Sequence, residues 1–438
     1  MLSTLFRDKM ADNNKKIKIF GESDCYGLTD ELSFTLRLMY EMKDEVDEGC
    51  LRGAVRMLEK RFYYLKLTLK QDWHEFYYIE NPLPWVVTKS EKCIPLNGKE
   101  SNYHLLAFTY FGNKIAISAF HAQLDGIGLY RVAKALLYYY CCLKYNKTLD
   151  VSDVALPDDE ILPEESIDAY RWFYDQPAAN DEDVPPSQKP VRNVLKLQQM
   201  GLVSKGERIS MQISVPQADL MKYCSSFDGS PATAIALMLA DSIYSLHPDS
   251  GKEIVVGIPV NLRPAMGLKV SHSSTFSKIY IHYSEKLRKK NFEIQGTICR
   301  GTVIRYSDKA LLRKQTKQYC KKLAMLNMIP LRCLKQFAAR FVANQMKNAE
   351  TADVTYVGKC DFGEMNQYIT SIQPSADGYG LGLILSVAAF GDRFFIGFDQ
   401  DWPERNYIDA FFDVLKKRGI SYEIEYEGPH DTAVMNIE

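Results

Sequence analysis

The chain has 438 residues, of which 46% are hydrophobic and 25% are charged, which is ordinary for a folded protein with large buried cores. Its 54 lysines and arginines nearly cancel its 55 aspartates and glutamates, so no global charge indicates a nucleic acid or an anionic membrane as partner. Because this length exceeds what one hydrophobic core usually holds, we expect two domains of comparable size, with a small molecule as the partner.

The cysteines and the first residues indicate the compartment. The ten cysteines are scattered without paired metal-type spacing, and the start, MLSTLFRDKMADNNKKIK, has no apolar segment of signal-peptide length. We therefore expect reduced thiols, no metal site and a cytoplasmic protein. The longest apolar runs, such as 381–390, are well short of the roughly twenty residues that span a bilayer, which predicts no membrane span.

Hydrophobic periodicity predicts an α/β arrangement for the first part of the chain. Residues 1–28 are a polar lead-in, a strand is predicted near 33–42, and Asp47 is the expected N-cap of the helix that follows. Further strands are predicted at residues 65–69, 75–80 and 104–111.

The stretch 114–130 is predicted to be a strand, a sharp turn and the start of a helix. Small and β-branched residues before His121 suit a buried strand, and Gly126 and Gly128 give the backbone the freedom that a tight turn requires. Apolar residues then recur at helical spacing at Leu129, Val132, Ala133, Leu136, Leu137, Tyr140 and Cys141. His121 thus lies where a rigid element ends, and we interpret this turn as the candidate active site.

Beyond this helix the composition changes and then an α/β pattern returns. Residues 150–183 hold twelve acidic residues against one basic residue, and with the prolines that follow they indicate a linker over 150–190, in which a short helix is predicted near 164–174. The second lobe is predicted to have strands at 209–215, 253–259, 276–283, 352–358, 381–390, 393–400 and 421–426. Its helices are predicted after Pro216, after Ser230, and over 291–326, 330–347 and 405–417.

His121, Asp125 and Gly126 form a His-x-x-x-Asp-Gly motif, and a second-lobe strand about 140 residues later ends in Asn261-Leu262-Arg263-Pro264. This arrangement resembles the CoA-dependent acyltransferase superfamily: chloramphenicol acetyltransferases, alcohol acetyltransferases, plant acyltransferases of the His-x-x-x-Asp type, and the condensation domains of nonribosomal peptide synthetases. The resemblance extends over nearly the whole chain.

The resemblance implies the architecture. We expect an α/β protein of two chloramphenicol-acetyltransferase-like lobes, each a mixed β-sheet with helices packed on one side, and an active-site channel between them. Residues 29–149 with the linker 150–190 would form the N-terminal lobe, and residues 191–438 the C-terminal lobe.

The chemistry of the motif suits acyl transfer. A thioester is already activated, so the reaction mainly needs a base that removes the proton from an attacking hydroxyl or amine, and histidine, with an ordinary pKa of about 6.5, suits this task at neutral pH. The resemblance implies that His121 is this general base and that the acceptor attacks directly, without an acyl-enzyme. The co-substrate would be an acyl-CoA or an acyl-phosphopantetheine, the acceptor a small alcohol or amine, and no cofactor would be tightly bound.

Two roles are open for Asp125. It could orient the imidazole as in a hydrolase triad, or, as the resemblance implies, it could pair with an arginine and hold the turn in shape, with Arg263 as the candidate partner. Gly126 is expected to let the turn pass close to the substrate. The sequence does not identify the oxyanion donors, for which Ser274 and Thr355 would be guesses.

Two alternative functions are retained. The protein could be a stand-alone condensation-type enzyme that takes its acyl group from a carrier-protein partner, although Phe120 stands where such domains usually have a first histidine. It could also be a catalytically silent binding homologue. Basic residues in the second lobe are interpreted as solvated helix faces rather than phosphate ligands; they are Lys286, Arg288, Lys289, Lys290, Arg313, Lys314, Lys317, Lys321 and Lys322.

Overall fold

The computed structural model describes residues 15–21, 23–29, 32–177, 184–197, 208–377 and 381–437, and it does not describe the side chains of residues 346 and 347. Its strands are β1 Ile17–Lys18, β2 Thr35–Met42, β3 Leu67–Gln71, β4 Phe76–Glu80, β5 Val87–Lys89, β6 Leu106–Phe111, β7 Lys114–Phe120, β8 Ile209–Pro216, β9 Ile254–Asn261, β10 Phe276–Tyr283, β11 Ala352–Lys359, β12 Ile369–Ala376, β13 Leu383–Phe390, β14 Arg393–Gln400 and β15 Glu423–Pro429. Its α-helices are α1 Glu48–Arg61, α2 Gly126–Tyr145, α3 Pro163–Ser166, α4 Ala169–Asp175, α5 Gln217–Ser225, α6 Pro231–Leu246, α7 Arg263–Met266, α8 Glu285–Arg288, α9 Phe292–Tyr306, α10 Lys309–Met328, α11 Arg332–Lys347 and α12 Asn406–Lys417.

The first lobe is built on a five-stranded sheet in the order β12-β2-β7-β6-β5. The sheet is mixed, because β5 runs parallel to β6 while the other neighbours are antiparallel. Helices α1 and α2 cover one face and form a core with β2, β6 and β7. Asp47 caps α1 as predicted, since its carboxylate accepts the Cys50 N–H at 2.7 Å, and the predicted apolar stripe of α2 is buried in this core.

The second lobe is built on a seven-stranded sheet in the order β10-β9-β11-β13-β14-β8-β15. It too is mixed, because β11 runs parallel to both of its neighbours, β9 and β13. Its core combines the apolar face of this sheet with side chains of α5, α6 and α12. The cap at Ser230 and the first-turn Pro231 begin α6, as the sequence predicted.

Strand β12 shows how the chain joins the two lobes. It lies in the second half of the sequence, but it pairs with β2 at the edge of the first sheet. It also contacts β13 and β14 of the second sheet, and the Gln212 amide of β8 donates to the Pro374 carbonyl at 3.0 Å. No strand was predicted from the sequence at residues 369–376. The division of the chain into lobes at residue 190 stays a prediction, although β12 pairs with a strand on the other side of that division.

Two other predictions are adjusted by the structure. The helical stretch predicted over 291–326 is two helices, α9 and α10, and the linker helix predicted near 164–174 is two short ones, α3 and α4. Parts of the predicted lead-in and linker, residues 1–14 and 178–183, lie outside the described residues. Within the described part of the chain, no helix is both long enough and apolar enough to cross a bilayer.

A small apolar cluster ties the linker to the second lobe near the candidate site. Tyr170 and Phe173 of α4 pack with Leu262 and Met266 at α7 and with Leu312 of α10. Because α7 begins at Arg263, this cluster fixes the segment that carries the candidate partner of Asp125.

Candidate active site

The turn predicted to hold the functional histidine has the predicted form. Strand β7 ends at Phe120, and α2 begins at Gly126 with Asp125 as its N-cap, whose carboxylate accepts the Gly128 N–H at 2.9 Å. The His121 N–H donates to the Phe34 carbonyl at 2.7 Å, so the backbone just after β7 remains hydrogen-bonded to the segment that precedes β2. The histidine is therefore held by a strand on one side and by a capped helix on the other.

Asp125 faces Arg263. The two guanidinium NH₂ groups of Arg263 each donate to one carboxylate oxygen at 2.8 Å, in a bidentate ion pair. The same carboxylate also accepts the backbone N–H of Thr275 at 3.1 Å. With the cap bond to Gly128, four donors reach the two oxygens, which favours the positioning role for Asp125 over the hydrolase-type dyad.

Arg263 also holds the segment 271–275 against the turn. Its side chain donates to the Ser271 carbonyl at 2.7 Å, to the Ser273 carbonyl at 2.9 Å and to the Asn261 side-chain oxygen at 3.2 Å. The guanidinium is 2% exposed, so a single buried cation links the end of β9, the start of β10 and the first-lobe turn. Such a pair fixes geometry more surely than it adds net stability.

His121 lies between the two lobes. Its Nδ1 is 3.4 Å from the Ser274 hydroxyl, and its ring centroid is 5.7 Å from that of Phe276 at the start of β10. The residue is 9% exposed, so only a small part of it reaches solvent, and the predicted channel between the lobes stays a prediction.

The electrostatic surroundings keep the imidazole neutral. Burial lowers the pKa of His121 below the ordinary value of histidine, and the ammonium of Lys278 acts in the same direction. A hydrogen bond to its own carbonyl and the charge of Asp125 oppose these effects without reversing them. A histidine of this kind is ready to accept a proton at neutral pH.

The two glycines of the turn have different surroundings. A Cβ at Gly126 would find its nearest neighbour at 3.9 Å, on Val357 of β11, which is ordinary contact. A Cβ at Gly128 would lie 2.3 Å from the His272 carbonyl oxygen, which is far closer than any real contact. The close approach of the backbone therefore occurs at Gly128, and the predicted role of Gly126 in admitting substrate stays a prediction.

A second polar cluster, which the sequence analysis did not assign, supports the segment 271–275. Arg61 donates to both oxygens of Glu165 in the linker, at 2.8 and 3.0 Å, and the Tyr64 hydroxyl donates to the same carboxylate at 2.8 Å. The His272 ring lies 3.4 Å from that hydroxyl. Burial lowers the pKa of His272 to about 3, and the positive charges of Arg131 and other arginines contribute.

A third cluster lies on the second-lobe sheet close to the histidine. Lys278, on β10 two residues after Phe276, donates to Asp353 at 2.5 Å and to Glu350 at 2.7 Å. Although burial lowers the pKa of Lys278, the two carboxylates raise it well above the ordinary value. Burial and the neighbouring Asp353 raise the pKa of Glu350 to about 8, while the Lys278 ammonium opposes this shift. No local pattern in the sequence indicates this cluster, because its members come from two strands and a loop.

Of the basic residues that were weighed as phosphate ligands, Arg288, Lys289, Arg313 and Lys317 have structural partners. Lys317 donates to the carbonyls of Phe173 and Tyr174 at the end of α4, at 2.9 and 2.8 Å. Arg313 reaches the Ala265 carbonyl in α7 at 3.4 Å. Thr355, named with Ser274 as an oxyanion donor, lies on β11 paired with Ser386 of β13, and its role stays a prediction.

The chain combines two mixed sheets with a His-x-x-x-Asp turn at the end of a first-lobe strand and an arginine from the second lobe on the aspartate. Solved TRI101 and condensation-domain structures have the same fold, as the sequence resemblance predicted. No family model and no curated protein sequence matches the chain.

Solved structures match over nearly the whole chain. TRI101 of F. graminearum, complexed with coenzyme A and T-2 mycotoxin, has a TM-score of 0.58 and 11% identity, over 93% of this chain and 99% of that one. The first condensation domain of the calcium-dependent antibiotic synthetase has a TM-score of 0.57 and 9% identity, over 93% and 96%. Polyketide synthase associated protein 5 from Mycobacterium tuberculosis has a TM-score of 0.57 and 12% identity, over 92% and 96%. At these identities the likeness establishes the fold and leaves the activity to be argued from the site.

Proposed function

We propose that the protein is an acyltransferase that moves an acyl group, such as acetyl, from a CoA thioester to a hydroxyl or amine acceptor, with His121 as general base. The observation that carries the proposal is a neutral imidazole at the junction of the two lobes, on a turn that a buried ion pair holds in place. The fold likeness to TRI101, whose structure contains coenzyme A and a small acceptor molecule, supports it.

The proposed reaction is a direct displacement. The Nδ1 side of the imidazole faces its own carbonyl and Ser274, which favours the tautomer with the hydrogen on Nδ1 and the basic lone pair on Nε2. Nε2 takes the proton of the attacking hydroxyl or amine as the new C–O or C–N bond forms. The C–S bond then breaks, and the proton passes from His121 to the leaving thiolate.

Asp125 and Arg263 act as positioning residues in this proposal. Their ion pair fixes the turn and the segment 271–275, so that the imidazole and Ser274 keep their relative positions during the reaction. Gly126 has the role of letting the turn pass close to the substrate in this proposal; a Cβ there would be in ordinary contact with Val357.

The second candidate is transfer from a carrier-protein thioester. It is favoured by the condensation domain, which matches this chain as well as the acetyltransferase does, with TM-scores of 0.57 and 0.58. The two candidates differ in the donor and share the proposed role of His121, so one experiment with two donors separates them.

The experiment measures thiol release from a panel of acyl-CoAs, with and without hydroxyl and amine acceptors, and compares it with acyl transfer from a loaded carrier protein. The proposal expects acceptor-dependent release of free CoA. Transfer from the carrier alone would replace the first candidate with the second. Absence of transfer from either donor, with every acceptor class, would favour the silent binding homologue.

A further inference from the structure

Helix α11 exposes large apolar side chains and buries a lysine. Leu334, Phe337 and Phe341, at positions i, i+3 and i+7 of one face, are 49%, 74% and 58% exposed. Lys335 is instead 3% exposed, with its ammonium 5.7 Å from the centre of the Tyr26 ring. A helix on the protein surface normally exposes its charged residues and buries its apolar ones, so the apolar face of α11 has a function other than solubility.

Neighbouring elements extend the exposed apolar face. Met328, at the end of α10, is 75% exposed, and Trp73, in the turn between β3 and β4, is 84% exposed. The turn is fixed against the start of α11, because the Arg332 N–H donates to the Trp73 carbonyl at 3.0 Å and the His74 ring contacts the Pro330 carbonyl. We call the following set the α11 face: Trp73, Met328, Leu331, Leu334, Phe337 and Phe341.

The chain around this face is strongly basic. Residues 309–347 contain no aspartate or glutamate and ten basic residues, which are Lys309, Arg313, Lys314, Lys317, Lys321, Lys322, Arg332, Lys335, Arg340 and Lys347. Since the whole chain has a formal charge of −1, this charge is concentrated locally. Lys321, Lys322 and Arg340 are exposed.

Two acidic groups close to the α11 face, Asp72 and Glu75, are paired with bases. Asp72, beside Trp73, forms an ion pair with Lys16. Glu75 faces Lys335 at 4.0 Å. The surroundings of the apolar residues therefore keep a positive balance, and an anionic surface is the complementary partner.

Large apolar side chains with a basic rim are the pattern of elements that lie in the interfacial plane of a bilayer. Tryptophan in particular favours this interface, where its ring meets both headgroups and acyl chains. The described helices contain no candidate membrane span, so contact with a bilayer through this face would be interfacial.

We propose that the α11 face docks the protein on the surface of a membrane that contains anionic lipids. Phe337, Phe341 and Trp73 enter the headgroup region, while Lys321, Lys322 and Arg340 meet the lipid phosphates. The inference goes beyond the proposed acyl transfer and does not depend on it, because binding is measured without any substrate.

The test is sedimentation of the full chain with phosphatidylcholine vesicles and with vesicles that also contain phosphatidylserine. We expect binding to the anionic vesicles that weakens as salt is added. Replacing Phe337 and Phe341 together by glutamate should lower the partition coefficient at least about tenfold, as should replacing Lys321 and Lys322 by glutamate. Ile304→Glu on α9 is the matched control, because Ile304 is 64% exposed but lies outside the α11 face, and it should change binding less than twofold.

A second readout follows the tryptophan itself. The emission of Trp73, obtained as the difference between the wild type and Trp73→Phe, should shift to shorter wavelength when anionic vesicles are added. Absence of sedimentation, or wild-type binding by the Phe337→Glu/Phe341→Glu variant, would overturn the proposal. Trp73 emission that is already short-wavelength without vesicles would also overturn it, because a second copy or another part of the chain would then cover the face.

Discussion

Removing Arg263 tests whether the buried ion pair holds the site together. In Arg263→Ala, the carboxylate of Asp125 loses both 2.8 Å hydrogen bonds and keeps only the backbone donors of Gly128 and Thr275. Three further acceptors, on Asn261, Ser271 and Ser273, each lose one donor as well. Breaking a buried pair by removing one partner costs about 3–5 kcal/mol, which is a large share of the roughly 5–15 kcal/mol that stabilises a folded domain.

Arg131→Ala is the matched control for this variant. Arg131 reaches the same segment, donating to the carbonyls of Lys269 at 2.6 Å and Ser271 at 3.4 Å, but it forms no ion pair with Asp125 in the described structure. Its loss should cost about 1 kcal/mol, the usual net value of hydrogen bonds of this kind.

Denaturant unfolding measures the difference in unfolding free energy between the two variants. The dependence of that free energy on denaturant concentration is examined for departures from two-state behaviour. The double variant Asp125→Ala/Arg263→Ala also removes the carboxylate that Arg263→Ala leaves without its partner. Its loss of unfolding free energy should therefore be smaller than the sum of the losses in Asp125→Ala and Arg263→Ala. An Arg263→Ala variant that is no less stable than Arg131→Ala would refute the reasoning.

Three other predictions address the turn and its histidines. Gly128→Ala should lower the melting temperature by several degrees, because its Cβ would lie 2.3 Å from the His272 carbonyl oxygen. Gly126→Ala, whose Cβ would lie 3.9 Å from its nearest neighbour, should leave the melting temperature within about two degrees of that of the wild type. Equal effects of the two substitutions would contradict this geometry. Because the pKa of His121 is lowered and the base must be neutral, the inflection at which kcat/KM falls with falling pH should lie below the ordinary histidine value of about 6.5. An inflection above pH 7 would exclude His121 as the titrating base. Burial lowers the pKa of His272 to about 3, so below pH 6.5 this residue takes up a proton when the protein unfolds. Its contribution to the free energy of unfolding is therefore complete above pH 6.5 and declines toward pH 3 by up to about 1.4 kcal/mol per pH unit. Urea midpoints measured from pH 7 to pH 4 should therefore fall less steeply in His272→Gln, and a slope equal to that of the wild type would count against this assignment.

The local part of the site could be predicted from the sequence because its signals are local. The small and β-branched residues before His121 and the helical spacing from Leu129 to Cys141 describe a strand, a turn and a helix within thirty residues, and the structure has these elements with Asp125 as the cap. Arg263 was named from the resemblance, since spacing alone does not connect two residues 138 positions apart.

The remaining features depend on tertiary pairing. Strand β12 has Pro374 in its interior, which argues against a central strand, yet a proline is tolerated there because β12 is an edge strand of its sheet. Its register with β2 joins positions more than 300 residues apart, such as Ile372 and Tyr40. The cluster of Lys278 with Glu350 likewise appears only when separate elements are brought together, so no local window of sequence contains it.

The activity of His121→Ala tests most directly whether this imidazole is the base; it is measured with the donor and acceptor that give the fastest thiol release, beside His282→Ala as a control at another histidine. We expect the rate to fall by about a hundredfold to ten-thousandfold in His121→Ala, with the circular dichroism spectrum and melting temperature near those of the wild type. The activity of His282→Ala should stay within a few-fold of the wild type. Activity of folded His121→Ala within tenfold of the wild type would show that another group is the base.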